Sequence, residues 1–216
     1  GVQGRVLETN AEGHRRLLFT GVANLLTALD GLGEVPLPPY IRRERSDSLA
    51  LDQQRYQTVY ARAAGSVAAP TAGMHFTPEL LDRIRSRGVD VAFLTLHVGL
   101  GTFAPVKADR LEDHVMHAER FHVSEQTARA VNAARRERRR VVAVGTTTMR
   151  VLETVAQGRG ELLAGDGQTQ LFIHPPWRFQ IADALVTNFH LPRSTLLMLV
   201  SAFAAPETTR GRDVMM

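Results

Sequence analysis

Ten residues, 113–122, carry three imidazoles, His114, His117 and His122, and two carboxylates, Asp113 and Glu119. Such side chains bind metal ions or move protons. Their spacing matches no common zinc pattern, and residues 119–123 alternate as a strand does. Acid–base work or substrate hydrogen bonding by His117 and Glu119 is therefore the expected chemistry, and no metal is expected. A neutral histidine packed at the start of a strand is the plainer alternative.

Other chemistry-bearing residues stand beside glycines or at strand ends. Residues 65–77, GSVAAPTAGMHFT, form a stretch of small residues that leads His75 to a helix start: Thr77 as N-cap, Pro78 at the first helical position and Glu79 in the first turn. Small side chains let another molecule approach the backbone. His97 ends a strand and is followed by Gly99-Leu100-Gly101-Thr102, a place where ligands approach α/β folds. Gly145-Thr146-Thr147-Thr148 follows a short strand and opens a helix, so free backbone N–H groups could meet a carboxylate or a single phosphate there. Arg150, one turn on, could pair with that anion. The P-loop lysine is absent, which argues against a nucleoside triphosphate. Asn188 and His190 sit where a late strand hands over to an apolar helix.

The elements that must position these groups read as follows. Residues 1–20 are two strands around the turn Asn10-Ala11-Glu12-Gly13. Helices are expected over 25–29, 49–64, 79–87, 125–136, 146–156 and 196–204. Strands are expected over 89–98, 119–123, 141–144, 168–174 and 184–188. The 89–98 strand is apolar on both faces, as in a buried sheet. Residues 205–216 are polar and should fray. This predicts an α/β protein with a mixed sheet and helices.

The totals narrow the class. The chain has 216 residues, no cysteine and a formal net charge of +4. Disulfides and thiolate sites are excluded, and a reducing cytoplasm suits the composition. The apolar run 196–205 is too short for a membrane span. Positive charge comes almost entirely from arginine, which suits bidentate contact with phosphate. Arg42 and Arg43 follow Tyr40, an aromatic platform beside basic side chains. Residues 135–140 hold five arginines, Arg135, Arg136 and Arg139 among them. Helix capping explains part of that run; an RNA-backbone patch would explain the rest.

Taken in order, LPPYIRR, RYQTVYA, GSVAAPTAGMHFT, TLHVGLGTFAPV, HVMHAE, VAVGTTTMRVLE and TNFHLPRSTLLMLVSAF make a specific set. With it the chain resembles the S-adenosylmethionine:tRNA ribosyltransferase-isomerase family of queuosine biosynthesis. The resemblance implies transfer of the ribosyl part of S-adenosylmethionine to 7-aminomethyl-7-deazaguanine at the tRNA wobble position. Epoxyqueuosine forms, and adenine and methionine leave. It also implies a main α/β domain over 21–204, with a mixed sheet or barrel-like core and helices, and a small inserted β-barrel, of which residues 1–20 would be the last strands. Members are longer at both ends, so this chain resembles a part of one.

In that chemistry a base removes a proton next to the sulfonium, and adenine is protonated as it leaves. His75, His97, His117, Glu119 and His190 are the candidates. Gly99, Gly101, Thr102, Gly145, Thr146, Thr147, Arg150 and Asn188 are the expected donor-binding set. The tRNA would meet Tyr40, Arg42, Arg43, Arg135, Arg136 and Arg139. A monomer is expected. Two alternatives are a metal-dependent hydrolase on His114, His117 and Glu119, and an RNA-binding module without turnover.

Overall fold

The computed structural model describes residues 1–10, 13–38, 41, 49–99 and 110–204. Tyr40, Arg42, Arg43, Gly101, Thr102 and the 205–216 segment lie outside the described residues. The described chain is a mixed α/β structure with three small sheets, and among these residues no sheet closes into a barrel.

β1 (Gln3–Thr9) and β2 (Arg15–Thr20) form an antiparallel hairpin, as the turn residues predict, exposed along nearly its whole length. α1 (Leu25–Leu32) starts at Asn24, whose side chain accepts from the N–H groups of Leu26 and Thr27. α2 (Leu49–Arg55) is shorter than the expected 49–64 helix. The chain turns at Tyr56 because tertiary packing overrides propensity: Tyr56 and Thr58 are buried, and Tyr60 lies against the small-residue stretch.

α3 (Pro78–Ser86) follows with the predicted cap, the Thr77 hydroxyl accepting from Leu80 N–H. Then β3 (Leu94–His97) pairs with β4 (Glu119–Val123), which pairs with β6 (Gly165–Thr169), all antiparallel. Two predicted strands are corrected by this sheet. β3 covers only part of 89–98 because Leu94 faces Val123, and the next residue, Ser124, already caps α4 (Glu125–Arg136). With no partner strand left, Val89 and Phe93 stay exposed. β6 lies at 165–169 instead of 168–174 because Glu119, the first residue of β4, faces Thr169. Beyond that point Leu171 bonds to side chains instead of a ladder: its N–H donates to Thr169 Oγ1 and its carbonyl accepts from Arg150 Nε.

β5 (Val142–Val144) and β7 (Ala184–Val186) form a parallel pair. α5 (Thr146–Ala156) runs through the core, with Met149, Val151, Leu152 and Ala156 packed among Phe121, Val123, Ile173, Ile181 and Leu199. Full burial of each large side chain stabilises by roughly 1.5–3 kcal/mol. α6 (Thr195–Ala204) completes this cluster through Leu199 and Ala202. Among the described residues, no helix is long and apolar enough to cross a membrane.

Candidate active site

The small-residue stretch forms a 3₁₀ turn over Thr71–His75, directly ahead of the α3 cap. Gly73 is required there. A Cβ at that position would collide with the Tyr60 hydroxyl and lie 2.9 Å from Thr58 Cγ2. The absence of a side chain therefore lets the 56–60 segment clamp the turn that carries His75. His75 Nε2 lies 3.0 Å from Asn188 Oδ1, joining segments 113 residues apart. With the amide oriented this way, the neutral imidazole donates from Nε2 and keeps Nδ1 as its open acceptor. A base whose tautomer is set by a neighbour is the usual form of a positioned proton acceptor.

The parallel pair explains why Asn188 lies where it does. β5 ends into Gly145 and the start of α5; β7 ends into Thr187 and Asn188. Gly145 N–H donates to Val186 O at 2.9 Å, tying the two exits together. Both leave the carboxyl ends of parallel strands, where open α/β sheets build their ligand crevices. Gly145 has φ +90°, a left-handed conformation that favours glycine. The first N–H groups of α5 lack intrahelical acceptors, Thr146 is buried and Thr147 half-buried beside them. Gly99 has open space where a Cβ would stand.

The sheet separates two other candidates. His97 stands opposite Arg120, so those side chains share one face; Glu119 is the next residue and points to the other. On the core face Glu119 accepts from Arg150 Nη1 at 2.5 Å, with the two side chains only 4% and 6% exposed. Arg150 is thus held inside the molecule. Its Nη2 is buried with no acceptor among the described residues. On the other face His97 approaches the small-residue stretch: a Cβ on Gly65 would lie 2.8 Å from His97 Nδ1. Ser66 and Val67 are bonded alongside, Ser66 Oγ to Leu96 O and Val67 N–H to Val98 O. The same stretch therefore runs from His97 to His75.

His190 is half-buried, and burial lowers its pKa below the ordinary histidine value, so its ring is neutral near pH 7. His117 is exposed on the loop before β4. His114 meets Phe172 edge to face at 5.0 Å between ring centres, and His174 packs on the same Phe172 at 4.9 Å. His114, His117 and Glu119 therefore occupy three different environments. Of the arginine cluster, Arg135 donates to Gly160 O, and Arg139 bonds Glu137 and Asp90 at 2.7 and 3.1 Å. Arg136 is exposed. A cavity of about 500 Å³ lies beside these side chains.

Sequence reading passed over Glu153. It is fully buried in the middle of α5 and takes the N–H groups of Gln180 and Ile181 at 2.9–3.1 Å. It fixes the chain just ahead of β7 and hence the approach to Asn188. A carboxylate within the apolar run VLETV was the available signal.

Comparison with known proteins identifies the family. The sequence profile described as "Queuosine biosynthesis protein" matches residues 2–212. The chain is 56% identical over 209 residues to the S-adenosylmethionine:tRNA ribosyltransferase-isomerase of Thermus thermophilus, covering 97% of this chain and 58% of that protein. For the protein of the same name from Geotalea uraniireducens the identity is 55% over 207 residues, with 96% and 60% covered. A crystal structure of an S-adenosylmethionine tRNA ribosyltransferase from Thermotoga maritima is 45% identical, with a TM-score of 0.48 over 62% of this chain and 41% of that one. The chain spans about three fifths of the length of the curated relatives it matches. It belongs to the queuosine biosynthesis protein family.

Proposed function

We propose that this chain carries the reacting centre of an enzyme that transfers the ribosyl part of S-adenosylmethionine to 7-aminomethyl-7-deazaguanine in the tRNA wobble position. The product is epoxyqueuosine-modified tRNA; adenine and methionine are released. The observation that carries the reading is the His75–Asn188 pair at the carboxyl end of the β5–β7 pair. Asn188 fixes the imidazole, and Nδ1 of His75 takes the proton from the carbon beside the sulfonium. Neutral His190 is a second proton carrier on the same loop. The α5 start, with Gly145, Thr146 and Thr147, holds the methionine carboxylate, and Gly99 lines the donor. Glu119 and Arg150 act from within the core as positioning residues. Arg136 offers a guanidinium to the tRNA, whereas Arg135 and Arg139 shape the surface around it. The protein works as a monomer in the cytoplasm, where its tRNA is found.

The direct test is adenine release from S-adenosylmethionine in the presence of tRNA carrying 7-aminomethyl-7-deazaguanine. Release that requires the modified tRNA and disappears in His75→Ala supports the reading. A folded wild-type chain that binds tRNA but neither binds S-adenosylmethionine nor releases adenine overturns it in favour of a binding module.

A further inference from the structure

Phe189 stands between the two site residues Asn188 and His190, and it has the greatest relative exposure of any large apolar side chain among the described residues, 108%. Its neighbours turn inward: Asn188 bonds His75, and His190 is half-buried. The loop from Thr187 to Arg193 lies between β7 and α6 and holds Arg193 in a left-handed conformation, φ +57°. Arg193 is exposed and has no hydrogen-bonded or ion-paired partner among the described residues. Among the described residues, neither the hydrated phenyl ring nor the guanidinium four residues on is packed or paired within the fold.

We infer that this loop is a docking platform for single-stranded RNA, with Phe189 stacking a base next to the reacting nucleotide and Arg193 contacting the backbone. The inference rests on the function proposed above and adds its RNA contact. Size decides the occupant. A small donor molecule at the His75–Asn188 pair would meet the inward residues; a ring standing fully in solvent is reached by a ligand that extends beyond that pair. Unstacked loop bases seek aromatic faces, and arginine beside an aromatic is the usual pairing for a flexible strand.

The test is binding of an anticodon stem–loop, with S-adenosylmethionine measured separately. Phe189→Ala should weaken stem–loop binding about tenfold, within the usual range for loss of one stacked base. Phe189→Trp should preserve binding, Phe189→Leu should not, and S-adenosylmethionine affinity should not move. Arg193→Ala should reduce the salt slope of stem–loop binding by about one unit, and Phe189→Ala should leave that slope alone. Unchanged stem–loop affinity in Phe189→Ala overturns the inference. So does full rescue by leucine, which would mean simple apolar contact, or an equal loss for S-adenosylmethionine, which would assign the ring to the donor's adenine. A lowered melting temperature in Phe189→Ala also overturns it, because the ring would then be packed within the protein. If stem–loop binding follows these expectations but no adenine is released, the platform stands and the proposed activity falls.

Discussion

Two polar pairs hold distant parts of this chain together, and they sit in opposite surroundings. Glu119–Arg150 is closed inside the core, whereas His75 of the His75–Asn188 pair is exposed. A buried ion pair is costly to break, since either partner left alone is a charge without solvent. An exposed neutral hydrogen bond contributes little to stability because water replaces it. The first pair therefore has the character of a framework, and the second is free to serve chemistry.

That contrast is sharpest at Arg150. Arg150→Ala should destabilise the fold by about 3–5 kcal/mol, measured by urea denaturation. Replacing both partners, Arg150→Met with Glu119→Leu, should recover most of the loss; a single variant costing under about 1 kcal/mol would erase the distinction. At the other pair the effect should fall on rate. His75→Ala should lower turnover by about 10²–10⁴-fold while changing stability by less than about 1.5 kcal/mol. Asn188→Ala should lower turnover less, because it frees the imidazole without removing the proposed base. If His75→Ala unfolds the protein, the exposed pair is structural after all.

Glu153 tests whether the framework extends along α5. Glu153→Ala leaves two backbone N–H groups without their acceptor and should cost about 2 kcal/mol, with turnover reduced through the displaced approach to Asn188. A fully stable variant would show that residues 180–181 need no anchor. The smallest effect is expected at His190. Burial lowers its pKa in the fold, so as pH drops below about 6.5 the unfolded chain binds the proton first. Stability should therefore decline from that pH towards the lowered folded value and be unaffected above it. His190→Gln should flatten this part of the melting-temperature profile between pH 5 and 7; an unaltered slope would assign it elsewhere.

What the sequence made legible was local. Ser124 with Glu125 marked the start of α4, and Gly145 marked the start of α5, because helix starts are written in adjacent residues. Strand lengths were not legible, since each depends on how far its partner runs: β3 stops where Ser124 begins a helix. The same holds within the site. His75 and Asn188 could each be singled out from their settings, but their meeting across 113 residues could not. Arg150 looked suited to an anion at the helix start, yet its partner turned out to be Glu119, approached from a strand 31 residues earlier. The exposure of Phe189 is likewise a property of the folded loop, invisible in a phrase that reads as apolar.

The hairpin β1–β2 has a different kind of consequence. Val6, Leu7, Leu17 and Leu18 remain 43–52% exposed, so separating its strands uncovers little new apolar surface. The resistance to opening that protects β4 and α5 is largely missing there. In heavy water, the hairpin amides should take up deuterium well before those of β4, so the hairpin and the core of this polypeptide keep different exchange clocks.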